Sequence, residues 1–334
     1  MKAFFTLLSC LSLFVGLKAQ TLSFSEDIAQ ILFDNCTSCH RQGGIAPFAL
    51  ESYQDAYLMR NSIAWSTKTG VMPPYPADVS YQRYADERIL SQLEIDMISD
   101  WVNDGAPEGD PALTPDVPIF PDQGTLGTPD LQVRMPAYLS SADQVDDYIC
   151  FVIPSGLMQD RIIKAIEVIP GNREIVHHAL IYLDNDNVLS QGPIFNCGGP
   201  PEAKLITGYT PGGNPTKFPE TNPPMGITME ANGNVVLAMH YPSGSAGQMD
   251  STAVNFYFYP AGTPAHREVE AEAIISDWSF CVPAEDSLVI ESTIPGVLLQ
   301  QDFSVLSVFP HMHLLGKSWE VYAVSPNADT IPMV

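Results

Sequence analysis

Positive charge is scarce: Lys and Arg number 15 against 39 Asp and Glu, for a formal net charge of −24. Neutralising phosphates needs a basic patch, and no basic run of any length is present, which argues against a nucleic-acid partner. Charge of either sign is thin at 16% of residues, whereas Pro numbers 29 and Gly 23. That composition leans away from a helical bundle and towards short strands, turns and linkers. Long hydrophobic runs are missing as well. The longest, Ala3 to Gly16, has 14 residues, too few to span a bilayer as a helix, so no transmembrane anchor is expected. Histidine is also rare, at 7 residues, so any clustering of imidazoles carries weight. Against these shortages, 334 residues at 45% hydrophobic and 10% aromatic suffice for two or three domains with their own cores.

Residues 1–19 read as an export signal: Lys2, the apolar run, then a small residue at Ala19 before the cut. Leu7-Leu8-Ser9-Cys10 imitates a lipoprotein cleavage box, but it would leave an apolar region of only six residues, Ala3 to Leu8. The expectation is a periplasmic or secreted bacterial protein, in a compartment where cysteines can pair.

Cys36-Thr37-Ser38-Cys39-His40 is the attachment pattern of a c-type haem, in which two thiols take the vinyl groups and the adjacent His ligates the iron. A plain Cys-x-x-Cys disulfide or redox motif is the alternative, but that chemistry does not need the His. Ser25 can cap a helix bearing Ile28, Ile31 and Leu32 that runs into Cys36. A second helix is signalled by the Ser91/Glu94 capping box ahead of Ile95, Ile98, Trp101 and Val102, and Asp104-Gly105-Ala106-Pro107 stops it. Between them Met72, in Val71-Met72-Pro73-Pro74, is a thioether on a stiff loop and the expected sixth ligand. Met59 and Met97 are its rivals. Residues 20–108, including Gly43-Gly44-Ile45-Ala46-Pro47-Phe48, resemble a small all-α monohaem cytochrome c domain, which implies covalent haem c held by Cys36, Cys39, His40 and Met72.

From Pro107 to Pro136 there are seven prolines in 30 residues, and 109–136 reads as a semi-rigid linker. Beyond it come β-branched and aromatic runs between Gly, Pro and Asn turns: 148–153, 161–169, 174–183, 234–241, 253–259, 287–291, 303–309 and 319–324. This pattern predicts all-β antiparallel sandwich, or jelly-roll-like, domains. The turn cluster from Pro260 to Pro264 is the seam, giving one sandwich over 137–264 and a second over 265–334.

Five of the remaining histidines fall at His177-His178, His240 and His311-Met312-His313. His311 and His313, two apart on a strand, project from one face and can share a metal. His177 and His178 would point to opposite faces of an ideal strand, so sharing one ion needs a bulge or bend. His240, from a second strand, would complete a three-His site. A lone strand His is ordinarily a core residue held by hydrogen bonds, but two doublets among so few histidines favour metal. His266, beside Arg267 and Glu268 in a turn, reads as a surface residue.

With Glu174-Ile175-Val176-His177-His178-Ala179-Leu180-Ile181-Tyr182, Met239-His240-Tyr241 and His311-Met312-His313-Leu314-Leu315-Gly316-Lys317, residues 137–334 resemble the type II copper, ascorbate-dependent monooxygenases. The resemblance implies two copper-bearing β-sandwiches. His177, His178 and His240 would hold the electron-storing copper, and His311 and His313, with a distant Met, the catalytic copper. Only Met333 follows His313, so the second site and second sandwich are expected to be incomplete in this chain. Peptide-hydroxylating members carry an Arg two positions before the His-x-His; here Phe309 stands there, which disfavours peptide amidation.

Cys150, Cys197 and Cys281 remain as an odd set of three, with a disulfide pairing that spacing does not decide. The function expected is hydroxylation of a C–H bond of a small organic substrate with O2, with electrons passing from an external donor through the haem to copper. The alternatives are a non-catalytic haem and copper electron-transfer protein, and a glycan- or partner-binding sandwich with fortuitous His pairs. Copper stoichiometry separates the last from the other two.

Overall fold

The computed structural model describes residues 21–120, 124–200, 202–263, 266–271, 275, 277, 279–296, 304–310 and 316–334. A one-turn π-helix, Phe24–Ile28, runs into α1 (Ala29–Asn35); α2 (Tyr53–Lys68) and α3 (Gln92–Asn103) follow. Ser23, not Ser25, caps the first turn by accepting from the Glu26 N–H, while the Ser91/Glu94 capping box forms at α3 as its spacing predicts. Phe24, Ile28, Leu32, Phe33, Ile98 and Trp101 bury together as a first core.

The expected small all-α domain is not what forms. Helices account for fewer than half of residues 21–108, and the chain as described is mainly β. The cause is legible in the sequence: Gly43, Gly44 and Pro47 follow the Cys36–His40 turn, and Pro73, Pro74 and Pro76 follow α2. Each removes a helical donor or favours non-helical backbone, so residues 41–51 and 70–90 are irregular.

The β region is a sandwich of two sheets. One has the order β1 (Leu131–Arg134), β12 (Ala253–Phe258), β4 (Arg161–Ile169), β9 (Met225–Met229), β13 (Arg267–Glu268), with β8 (Thr216–Lys217) also on β4. The other runs β6 (Gly192–Phe195), β3 (Asp147–Pro154), β10 (Asn234–Tyr241), β5 (His178–Asp184), β7 (Lys204–Tyr209). Two short ladders stand apart: β2 (Tyr138–Leu139) with β11 (Met249–Asp250), and β14 (Tyr322–Val324) with β15 (Thr330–Pro332).

Strand alternation builds the layers. Val235, Leu237, Met239 and Tyr241 of β10 face the first sheet's Ile163, Ile166, Val254 and Phe256 in one buried core. The intervening Val236 and Ala238 join Cys150, Val152, Tyr182 and Cys197 on the outer face. His240 shares that outer register.

Three expectations change. The stretch read as linker supplies β1, paired in register with β12. The run 174–183 becomes strand only from His178, because the Asn172 side chain accepts the Glu174 N–H and the Val176 N–H turns back to the Asn172 carbonyl. No second sandwich is present over 265–334 among the described residues. There β13 joins the first sandwich, β14 and β15 form an isolated hairpin, and 287–291 and 304–309 form no strand. Leu288, Val289 and Phe309 are exposed, and without a facing sheet to bury them, apolar alternation does not make a strand.

Candidate functional site

His178 and His240 are paired residues on the adjacent strands β5 and β10, and Tyr148 of β3 is the partner of His240 on its other side. One transverse row of the outer face therefore reads Tyr148, His240, His178. His177 lies just before β5, where its N–H donates to the His240 carbonyl at 3.1 Å. This bend returns the His177 ring to the side that strand alternation would deny it. His177 Nδ1 lies 3.2 Å from His178 Nδ1, and His178 Nδ1 lies 3.1 Å from His240 Nδ1. Two imidazole nitrogens bound to one ion at roughly 2.0–2.1 Å stand about 3 Å apart at common coordination angles. The triad is therefore spaced for a single metal, and its ligand atoms all fall within 4.8 Å of one another.

The surroundings fix the donor atoms. His240 Nε2 donates to Asp146 Oδ2 at 2.9 Å, so its Nδ1 is the lone-pair nitrogen, as in carboxylate-oriented metal ligands. Asp146 is itself held by the Ser243 N–H at 2.9 Å; that hydrogen bond and the one from His240 keep its carboxyl below the usual range. Tyr148 stacks on His240 with ring centroids 4.3 Å apart and planes 7° from parallel. His240 is buried and His177 exposed, so the cluster opens to solvent on one side. Burial, then the neighbouring His240, pushes the His177 imidazole pKa down, toward the neutral form a metal needs.

The second constellation sits on the turn ending α1. The His40 N–H donates to the Cys36 carbonyl at 2.8 Å, so Cys36, Cys39 and His40 share one backbone turn. Cys36 and Cys39 are free thiols, not a disulfide. Burial, then Cys39, pushes the Cys36 thiol up to about 12. His40 Nδ1 lies 3.1 Å from the Phe48 carbonyl. A carbonyl only accepts, so Nδ1 carries the proton and Nε2 is left as the ligand atom. Two free thiols and a histidine of fixed tautomer suit covalent haem. Met72 lies on the loop after α2 and is 37% exposed, while Met59 and Met97 pack against the helical core.

His311 and His313 lie outside the described residues. His266 donates to Glu268 at 2.6 Å and stands apart from the triad. Cys150 and Cys197 form a disulfide across the β3–β6 edge, and Cys281 is free and exposed. Asp146, Tyr148 and Ser243 escaped the sequence reading. The register that sets Tyr148 opposite His240 could have indicated the first two; nothing in the spacing marks Ser243.

No protein-family model matches the chain, and no curated protein matches it. Among the described residues no helix is long and apolar enough to cross a membrane.

Proposed function

We propose that this chain is an exported, copper-dependent monooxygenase that hydroxylates a C–H bond of a small organic substrate with O2, its electrons entering from an external donor through covalent haem c. The observation that carries the reading is the convergence of the His177, His178 and His240 Nδ1 atoms at metal-ligand spacing. Three neutral imidazoles suit copper. His177, His178 and His240 would hold one copper ion, His311 and His313 a second, and Cys36, Cys39, His40 and Met72 the haem. Bound haem and copper supply one-electron steps, and inserting one atom of O2 while reducing the other to water takes two electrons and two protons beyond those of the C–H bond.

The chain's own residues prepare that chemistry. Asp146 keeps the proton of His240 on Nε2 and so presents Nδ1 to the cluster. Tyr148 holds the plane of the His240 ring from behind. The Phe48 carbonyl does for His40 what Asp146 does for His240.

A second reading is a haem and copper electron-transfer protein that hydroxylates nothing. Oxygen uptake by the haem- and copper-loaded protein, followed with a reductant and a panel of organic substrates, separates the two. Monooxygenase action requires uptake matched to hydroxylated product, and its loss in His313→Ala while the haem still reduces normally. No uptake with any reductant, or a His313→Ala variant equal to the parent, leaves the electron-transfer reading.

A further inference from the structure

Between the Cys36–His40 turn and the sandwich lies a cleft of about 200 Å³. Arg41 and Ile45 line it from the helical side, and Ile166, Arg173, Thr207 and Tyr209 from the sandwich side. The Arg41 guanidinium lies over the Phe120 ring, 4.0 Å from its centroid, and Phe120 is also part of the wall. The Arg41 Nη1 atom is buried and has no hydrogen-bond partner among the described residues. Arg173 lines the same cleft.

Among the described residues the nearby carboxylates do not pair with Arg41. Glu167, the acidic residue of the cleft wall, is engaged by the Thr125 N–H and hydroxyl, the Leu126 N–H and the Tyr257 hydroxyl. Glu51, which acts on Arg41 through its charge, accepts the Gln42 N–H. A chain with 39 acidic residues could readily have supplied Arg41 with a direct partner here. Buried donors without one point to a ligand that brings its own acceptor. A planar guanidinium matches a carboxylate with two parallel hydrogen bonds, while Phe120 and Ile45 offer apolar surface beside it.

We propose that this cleft binds a free small organic carboxylate with an apolar body, its carboxylate on Arg41 with Arg173 alongside and its body against Phe120 and Ile45. The site is separate from the His177/His178/His240 cluster and does not depend on what metal that cluster holds.

The test uses benzoate as the probe and benzamide, its neutral isostere, as the comparison, titrated calorimetrically into the full chain with and without covalent haem. The expected result is saturable benzoate binding to both forms, at least tenfold weaker binding of benzamide, and at least a tenfold loss of benzoate affinity in Arg41→Gln. Arg41→Lys, which keeps the charge but not the planar fork, should recover part of that affinity. Lys68→Gln, at the end of α2 and not part of the cleft wall, should bind as the parent does. Equal affinity for benzoate and benzamide in the unaltered protein overturns the proposal without reference to any variant. So does an Arg41→Gln variant that folds and binds normally. Binding to the haem-free chain alone also overturns it, because the haem's own carboxylate would then occupy Arg41.

Discussion

His178 and His240 face each other across β5 and β10 with their Nδ1 atoms 3.1 Å apart. A cross-strand pair is the shortest route by which two imidazoles far apart in sequence reach one ion, and it needs no loop to hold them. The third imidazole, His177, is supplied by the bend entering β5. The site is therefore built on two rigid strands and one hinge residue, so its geometry should survive loss of a supporting contact better than loss of a ligand.

That difference gives the first prediction. His240→Ala should abolish stoichiometric Cu(II) binding, because two imidazoles remain and one of them is exposed. Asp146→Asn keeps all three ligands but weakens the hold on the His240 tautomer, and outer-shell changes of this kind cost about 10–100-fold in metal affinity. Copper titration of the two variants beside His266→Ala, which should match the parent, checks the order. An Asp146→Asn variant that binds copper as tightly as the parent would remove Asp146 from the site.

The cysteines give a second prediction. The disulfide between Cys150 and Cys197 closes a sequence separation of 47 residues, for which loop-closure entropy alone predicts about 4 kcal/mol of stabilisation. Cys150→Ala/Cys197→Ala should therefore unfold at markedly lower denaturant. In the haem-free folded chain a thiol reagent at neutral pH should label the exposed Cys281 first. Cys36, whose buried thiol is pushed up to about 12, should label last. Mass spectrometry of timed samples reads the order, and early labelling of Cys36 would contradict its burial.

Much of the sandwich was legible in the sequence because its strands alternate against a facing sheet. The runs 161–169 and 234–241 are strands with those same limits, since each places β-branched or aromatic side chains on a surface that is buried. The run 287–291 has the same composition and forms no strand, because strand formation there depends on a partner that sequence does not reveal. The helical segment failed for a related reason. Its apolar spacing and the Ser91/Glu94 box mark individual helices, although Ser23 rather than Ser25 caps the first turn, but how much chain lies between them is set by Gly and Pro. At the histidine cluster, the three residues could be read from their rarity. Asp146 could not, because one Asp among so many acidic residues carries no signal until the register sets its neighbours.

Acid should loosen one edge of the first sheet. Burial acts to raise the Glu268 pKa, but it is outweighed by the Thr228 N–H and the His266 side chain, joined by the Thr228 hydroxyl and Lys204, and the carboxyl sits below its usual range. These contacts tie β13 onto β9. A depressed carboxyl stabilises the fold above its unfolded value, near pH 4.5, and that contribution is lost as pH falls through the lower folded value. Hydrogen exchange at the Arg267 and Val269 amides, which donate to Pro224 and Gly226, should stay slow above about pH 5 and quicken below about pH 4. Glu268→Gln should show the faster exchange at every pH. No change across that range would mean the ladder alone holds β13.

If the Cys36–His40 turn carries haem as proposed, the structure sets the candidate sixth ligands apart. Met59 lies in α2 and Met97 in α3, and both pack against the helical core. Ligation by either would have to draw a thioether out of that packing. Met72 is on the loop after α2, partly exposed, its backbone N–H donating to the Ser66 carbonyl. Swinging it onto an iron held by His40 disrupts no core. With covalent haem attached, Met72→Ala should retain the haem, since Cys36 and Cys39 are untouched, and should lower its reduction potential, because a thioether raises the potential of the iron. Met59→Leu and Met97→Leu, which conserve volume, should leave the potential where it was. Potentiometric titration of the three variants against the parent reads this directly. A fall in potential with Met59→Leu or Met97→Leu, and none with Met72→Ala, would transfer the ligand to the core and require the helices to repack around the haem.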